Sequence, residues 1–415
     1  MLGSHPGLSR IIELCHRLDD PQEHLRCVHV AGTNGKGSTC RMLSGILQNA
    51  GYRTGLYTSP YVLKFEERIC FDNSPILPEE LADVMTRVRQ AADKMEDPPT
   101  AFEGITAAAF LYFYEKRCDV VVLETGLGGR LDATNAISGC VAAVITGIDL
   151  DHTALLGDTT EKIAAEKAGI IKPGCPVVCG EMKEGAKEVI AQIAREKEAP
   201  FYSVSYTDVT PLCYSMSGTD LIYHGKTYHL GLLGEYQLKN FCCVMETVEV
   251  LKKAGYPISD DAIQRGVESA YWPARFECLN EDPPVFYDGG HNPQGVTAAL
   301  QTATLLFRQK PILLSGVMAD KDYPAMVKIL RGNIRRAYTV QPGNPRSLQA
   351  ERYAAEFEKA GVPAVPYSDF KQGVSAALAA AQDEKVPLLA LGTLYMYADF
   401  RQALEAWKND RHSSR

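Results

Sequence analysis

Short apolar runs alternate with longer stretches of helical spacing along almost the whole chain. The runs Arg26–Val30, Val120–Glu124 (VVVLE), Val141–Ile148 (VAAVITGI) and Pro176–Cys179 are short and mostly rich in β-branched residues, as buried strands are. Apolar positions three and four residues apart predict helices over Phe102–Glu115, Thr160–Ala168, Lys183–Lys197, Gln237–Lys253 and Ser259–Ala270. A strand–helix alternation of this kind predicts an α/β fold with a mostly parallel sheet. The rhythm breaks over Phe201–Leu230, where short polar and aromatic runs with turn residues (SMSGTD, HGKTYH) predict a small β-rich patch of hairpins at the edge of the first domain.

In YWPARF (Tyr271–Phe276), Trp and Pro interrupt the helical pattern, which sets the expected boundary between a domain over 1–274 and one over 275–415. Beyond it, Val285–Tyr287, Pro311–Leu314, Arg336–Val340 and Pro387–Leu391 read as strands separated by helix-sized segments. That pattern predicts a second, smaller, Rossmann-like α/β domain, without the Gly-rich dinucleotide fingerprint.

A length of 415 residues favours two domains over one. With 46% hydrophobic and 23% charged residues, the chain has the composition of an ordinary globular protein. The net charge of −8 comes without any dense Lys/Arg block, which argues against nucleic-acid or membrane-surface partners. An anionic ligand would therefore need a locally positive pocket. The 12 cysteines lack zinc spacing and are expected to be free thiols in a reducing compartment. The N-terminal MLGSHPGLSR has no apolar core for export, and no segment is long and apolar enough to span a bilayer, so a cytoplasmic protein is expected.

The stretch HVAGTNGKGS (His29–Ser38) places glycines between a strand and a helix, where backbone N–H groups are unpaired and can cradle an anion. The loop Gly32, Thr33, Asn34, Gly35, Lys36, Gly37, Ser38 is thus a candidate nucleotide-phosphate site; the alternative is a Gly-rich turn with an incidental lysine. It departs from the common Walker A spacing, because Gly37 separates Lys36 from Ser38. In VVLETGLGGRLDATN a strand ends on Glu124, where open α/β sheets bind ligands. Glu124 could be a magnesium ligand near Lys36 or could cap the next turn. DLDHTALLG offers Asp149, Asp151 and His152 after the next strand, and YTSPYVLKFEERI brings a hydroxyl, Ser59, out of another. Glu166 and Lys167 in TEKIAAEKAGIIKPG read as a solvated helix face. In the second domain, YDGGHNPQG follows a strand with Asp288, His291 and Asn292 before a proline-initiated helix. The expected active site is then a cleft between two lobes.

GTNGKGS, TSP, FEGITAAAF, ETGLGGRLDATN, DHTALLG, EKAGIIKPG, LLGEYQLKN, WPARFE and YDGGHNP together, in this order, closely resemble the folylpolyglutamate synthases and dihydrofolate synthases of the Mur ligase superfamily. The resemblance implies an N-terminal P-loop ATPase domain and a C-terminal glutamate-ligase domain. It implies a monomeric, ATP-dependent amide ligase whose substrate carboxylate is phosphorylated and then captured by the amine of L-glutamate. Its substrates would be dihydropteroate, a reduced folate, or both in turn. By the same resemblance Lys36 and its loop hold the ATP phosphates, Ser59 and Glu124 bind one Mg2+, and His152 binds a second. A carbamylated Lys167 would stand beside the metals. Asn240 would contact adenine, Arg275 the phosphates, Asp288 the ribose and Thr393 the glutamate, while His291, counted with Lys36 and Lys167 as catalytic, would stand where glutamate and nucleotide meet. Phe102 would either line a pterin pocket or pack in the core. Three positions depart from the family pattern: Tyr236 stands for histidine, Ala274 for glycine and Thr393 for serine. The competing readings are a cell-wall Mur ligase acting on a UDP-linked sugar acid, disfavoured because only about thirty residues precede Gly32, too few for a further domain, and a nucleotide-gated binding protein that ligates nothing.

Overall fold

The computed structural model describes residues 7–413. The first six residues of the N-terminal stretch considered above lie outside the described residues.

The larger sheet has eight strands. From edge to edge they are Ser74–Pro75, Ile69–Phe71, Thr54–Tyr57, Val120–Glu124, Cys27–Ala31, Cys140–Ile145, Val177–Cys179 and Phe201–Ser203. All neighbours from Thr54–Tyr57 to Phe201–Ser203 run parallel; the first two strands are antiparallel. Cys27–Ala31 and Val120–Glu124 are buried at every position, as expected of parallel strands covered on both faces. On one face Val121 and Leu123 pack on the helix Ala101–Glu115 and its neighbours, while Ala143, Ile145 and Val177, further across the same face, pack on Ile163, Ala164, Ala168, Ile190 and Ala194.

Local signals explain where the covering helices begin. Thr100 accepts the Glu103 N–H at 3.2 Å while Glu103 accepts the Thr100 N–H at 2.7 Å, a reciprocal cap on Ala101–Glu115 worth about 1 kcal/mol. Thr159 caps Thr160–Ala168 through the Lys162 N–H.

Register fixes which strand ends meet. Val30 lies opposite Glu124 on one side and Val144 on the other, and Tyr57 opposite Leu123. The residues just past these strands, Gly32, Ser59, Thr125 and Thr146, therefore gather at the carboxyl edge, where parallel sheets take ligands.

A second sheet of six strands runs Glu277–Glu281, Pro284–Asp288, Leu388–Leu391, Ile312–Ser315, Ala337–Val340, Ala364–Tyr367. Only its first pair is antiparallel. Asp288 is level with Leu391, so the turns following both emerge together. Val209–Ser215, Gly218–Tyr223 and Lys226–Leu230 form a separate three-stranded sheet, the hairpin patch expected from the sequence.

By internal contacts the chain divides into two compact units: Met1–Thr210 with Leu221–His229 and Tyr236–Ala270, and Pro211–Asp220 with Leu230–Glu235 and Tyr271–Arg415. The twelve cysteines are all free. Among the described residues, no helix is long and apolar enough to cross a membrane.

Candidate active site

In the first unit, Gly35 sits in the left-handed region (φ 86°) and starts the helix Lys36–Asn49. A Cβ there would fall 2.1 Å from Asn240 Oδ1, so backbone conformation and space both demand glycine. No side chain caps this helix end and no acidic residue occupies its first turn, which leaves an electropositive N-terminus. The loop is tied down from three directions. Thr146 donates its hydroxyl to the Asn34 carbonyl at 2.7 Å, Thr33 exchanges bonds with the Asp149 backbone at 3.0 and 3.1 Å, and Gln237 donates to Ser38 Oγ at 3.2 Å. Asn240 in turn donates to Gln237 Oε1 at 2.8 Å.

Two ammonium groups meet one carbonyl oxygen. Lys36 Nζ lies 3.0 Å from Gly32 O and 3.2 Å from Thr33 O, and Lys167 Nζ lies 2.8 Å from the same Gly32 O. Lys167 is buried, 4% exposed, contrary to the solvated face that its sequence neighbours suggest. Only Glu166 behaves as such a face does, pairing with Arg130 at 2.8 Å. Burial, reinforced by the charge of Lys36, lowers the Lys167 amine to about 7.

Glu124 is buried at the strand end, and its Oε2 accepts the Ser59 N–H at 3.0 Å, which puts the carboxylate and the Ser59 residue side by side. His152 lies exposed on the loop after Cys140–Ile145, its Nε2 3.8 Å from Asp151. Among the described residues, no three His, Cys, Asp or Glu side chains converge as a ready metal cluster. Phe102 is partly buried against the core. Its ring packs against the core cluster, 6.3 Å from the Tyr57 ring, and comes close enough to the turn after Glu124 that a Cβ on Gly126 would lie 2.4 Å from its Cζ.

That glycine-rich turn is held by Asp132, which accepts the N–H groups of Gly126, Leu127 and Thr134 and the Thr134 hydroxyl at 2.6 to 3.0 Å. Burial pushes the Asp132 carboxyl up while these donors pull it down. Thr134 Oγ1 also lies 2.8 Å from Nε2 of His29, a core residue that burial brings down to about 3 and so keeps neutral.

The second unit gathers the remaining candidates. Asp288 is buried and accepts the Phe276 N–H at 2.8 Å and the Gly290 N–H at 2.7 Å. His291 Nδ1 donates to the Gly289 carbonyl at 3.0 Å, and Asn292 caps the helix Pro293–Leu306 through the Gly295 N–H at 2.8 Å. Thr393 is buried, accepts the Tyr395 N–H at 3.2 Å, and receives the Tyr287 hydroxyl on its carbonyl at 2.7 Å. Arg275 stands between Ala274 (φ 56°) and Phe276 (φ 45°), both left-handed.

Ala274 thus occupies backbone that favours glycine. Strain of roughly 1–2 kcal/mol is offset by its buried methyl, about 0.8 kcal/mol, and by the smaller chain entropy of alanine, about 0.4–1 kcal/mol. Ala274→Gly is accordingly expected to shift unfolding by less than about 1 kcal/mol, and Ala274→Val to destabilise by more than about 2 kcal/mol, both measured by denaturant titration.

Sequence reasoning overlooked Thr146, Gln237 and Asp132 as parts of these arrangements. Gln237 carried a usable signal, lying three residues before Asn240 on one helix face. Asp132 carried another, a carboxylate followed two residues later by a hydroxyl, as in side-chain-capped turns.

Residues 30–248 match the Mur ligase middle domain, and 274–390 match the Mur ligase glutamate ligase domain. The class is therefore that of ATP-dependent ligases joining an acid to an amino acid. The chain is 34% identical to the folylpolyglutamate synthase of Lacticaseibacillus casei, over 96% of this chain and 95% of that one. It is 35% identical to the dihydrofolate synthase/folylpolyglutamate synthase of Bacillus subtilis, over 97% and 96%. Among solved structures, Mycobacterium tuberculosis folylpolyglutamate synthase complexed with ADP and AMPPCP superposes with a TM-score of 0.88 at 29% identity, covering 96% of this chain and 95% of that one. E. coli FolC in complex with DHPP and ADP gives 0.84 at 28% identity, covering 98% and 94%. The chain belongs to the folylpolyglutamate synthase/dihydrofolate synthase family of Mur ligases.

Proposed function

We propose that this chain joins L-glutamate to dihydropteroate and to the glutamate tail of reduced folates at the expense of ATP. A substrate carboxylate oxygen attacks the γ-phosphorus and ADP leaves. The glutamate amine then attacks the carbonyl carbon of the acyl phosphate, phosphate departs, and the amine proton is lost to solvent or a base. The reading is carried by one observation: the uncapped helix start after Gly32–Gly35, with Lys36 and Lys167 on one carbonyl, lies at the same sheet edge as the buried Glu124. An array of this kind stabilises charge on a moving phosphoryl group by position and electrostatics.

Within this reading, 1–274 is the ATP-binding domain and 275–415 the glutamate-ligase domain. The backbone of Gly32–Ser38 and the Lys36 ammonium hold the triphosphate, Asn240 meets the base, and Arg275 and Asp288 meet phosphate and ribose. Phe102 borders the pteridine, while His291 and Thr393 serve the incoming glutamate. The oxygen donors of Ser59 and Glu124 suit a hard cation and would hold one Mg2+. His152 would hold a second, together with Lys167 once that amine has added carbon dioxide as a carbamate. When bound, the ions neutralise charge on the transferred group. An amine brought to about 7 by burial supports the carbamate, because the neutral form is the one that adds carbon dioxide. The 35% identity of this chain with a relative named for both activities supports the reading that it performs both.

The test supplies purified protein with ATP, L-glutamate and, separately, dihydropteroate, tetrahydrofolate or a UDP-muramoyl acid. ADP release with the first two and a hydroxamate on adding hydroxylamine are expected. ADP release only with the UDP-linked acid, or nucleotide binding without any trapped acyl group, would remove the reading. Glu124→Gln is expected to raise the magnesium concentration for half-maximal turnover by roughly 10-fold or more, read from a metal titration of ADP release.

A further inference from the structure

Arg275 is flanked on both sides by residues in the left-handed region, and neither is glycine. Backbone of this kind persists only where its surroundings over-determine it. Three bonds do so here. The Ala274 carbonyl accepts the Gly289 N–H at 2.8 Å, the Phe276 N–H goes to Asp288 at 2.8 Å, and the Ala274 N–H goes to Glu277 Oε2 at 2.9 Å. The last partner is itself fixed. The Tyr397 hydroxyl donates to the same Oε2 at 2.5 Å, and the Tyr271 hydroxyl donates to Oε1 at 2.6 Å. Burial first, and then the Glu277 carboxylate, push Tyr271 up to about 12 and raise Tyr397 as well, so both phenols remain donors. The Tyr397 ring meets Tyr287 edge-on at 4.9 Å, and the Tyr287 hydroxyl donates to Thr393 O at 2.7 Å. A continuous chain of contacts thus joins the backbone of Arg275 to the turn bearing Thr393.

We infer that Glu277 is the positioning residue for Arg275, and that Tyr397 and Tyr287 tie that arginine's loop to the Thr393 turn, so that the two are set in place as one unit. Glu277 touches no reacting atom; it acts through the backbone on either side of the guanidinium. Three donors converging on one carboxylate exceed what a strand residue needs for pairing, and they come from two segments: Tyr271 and Ala274 from the turn before the strand, and Tyr397 from the C-terminal helix. The kinetic consequence rests on the proposed role of Arg275 at the nucleotide phosphates. The positional consequence does not.

Position is read directly by phenylglyoxal, which modifies arginine at a rate set by exposure and mobility. Peptide mass spectrometry is expected to show Arg275 labelled at least threefold faster in Glu277→Gln and in Tyr397→Phe than in the unaltered protein, with labelling of Arg130 unchanged. Equal rates at Arg275 would overturn the inference. Tyr397→Phe removes one oxygen and keeps the ring, so it carries the test if Glu277 variants fold poorly. In kinetics, Glu277→Ala should lower kcat at least tenfold, Glu277→Gln should restore part of that loss, and Glu277→Ala should change kcat less than twofold in an Arg275→Ala background. Losses that multiply in the double variant, or a fall in melting temperature with normal kcat, would show a merely structural role. Full turnover by Arg275→Ala alone would instead remove the assignment of Arg275, and the labelling rates would still decide the positional claim.

Discussion

Replacing Lys36 with alanine is expected to lower ligation turnover by roughly 10²-fold or more, the scale on which lost transition-state donors are measured, with the fold intact. The asymmetry follows from what the ammonium touches. Its protein partners are the carbonyls of Gly32 and Thr33, and Gly32 O keeps Lys167 as a donor at 2.8 Å after the change. Net stability should therefore move by about 1 kcal/mol at most, the worth of an ordinary hydrogen bond. For the reaction the loss is larger, because two neutral carbonyls are weak acceptors beside a triphosphate whose charge migrates during transfer. Lys36→Arg should not restore activity: the guanidinium is a broad planar fork, and the side chain turns back within the width of its own loop. Steady-state ADP release, paired with thermal unfolding, separates the two effects. Turnover within threefold of the unaltered protein would mean that the phosphates lie elsewhere.

Where local patterns decide structure, the sequence could be read closely. Val120–Glu124 and Thr160–Ala168 fall on the expected residues, the first because five buried positions in a row admit little else, the second because Thr159 and Gly169 bracket it. Edge strands were harder. Ala364–Tyr367 contains a proline and is only partly buried, and Glu277–Glu281 is half-buried with glutamate at both ends, so neither carries the apolar signature of a central strand. The candidate site divides in the same way. The loop 32–38 is legible because glycine, lysine and hydroxyl residues stand at a strand end. Thr146 and Gln237 gain their roles only from register and helix phase, which bring them to that loop from 112 and 199 residues away. Lys167 is the sharpest case. Its neighbours read as a solvated face, and only the tertiary structure encloses it; composition cannot say which side of a short helix meets a neighbouring loop. Glu277 has a related history, since a glutamate opening a half-buried edge strand looks like a solvent-facing residue until Tyr271, from the turn before it, and Tyr397, from the C-terminal helix, reach it.

Lys167 also governs the second large effect. An amine at about 7 in the folded chain and near 10.4 when unfolded holds its proton more loosely in the native state. Between these values the unfolded state binds more protons, so stability rises with pH across that window. The penalty is fully present below pH 7, where the folded protein must carry a buried charge, and is relieved towards pH 10. At about 1.4 kcal/mol per unit it amounts to several kcal/mol. Lys167→Met is therefore expected to raise the melting temperature of metal-free, bicarbonate-free protein at pH 6–7 and to flatten its rise between pH 7 and 10. The change removes one bond to Gly32 O, about 1 kcal/mol, but Lys36 still serves that oxygen at 3.0 Å, so relief of the buried charge wins. The same variant should lose turnover by roughly 10²-fold or more, as a group near the transferred phosphoryl would. Stripping carbon dioxide should slow the unaltered enzyme and readdition of bicarbonate should restore it, whereas the residual rate of Lys167→Met should ignore both. A variant no more stable at pH 6 would refute the buried charge, and an unaltered enzyme indifferent to bicarbonate would refute the carbamate, so each half of the account of Lys167 can fail alone.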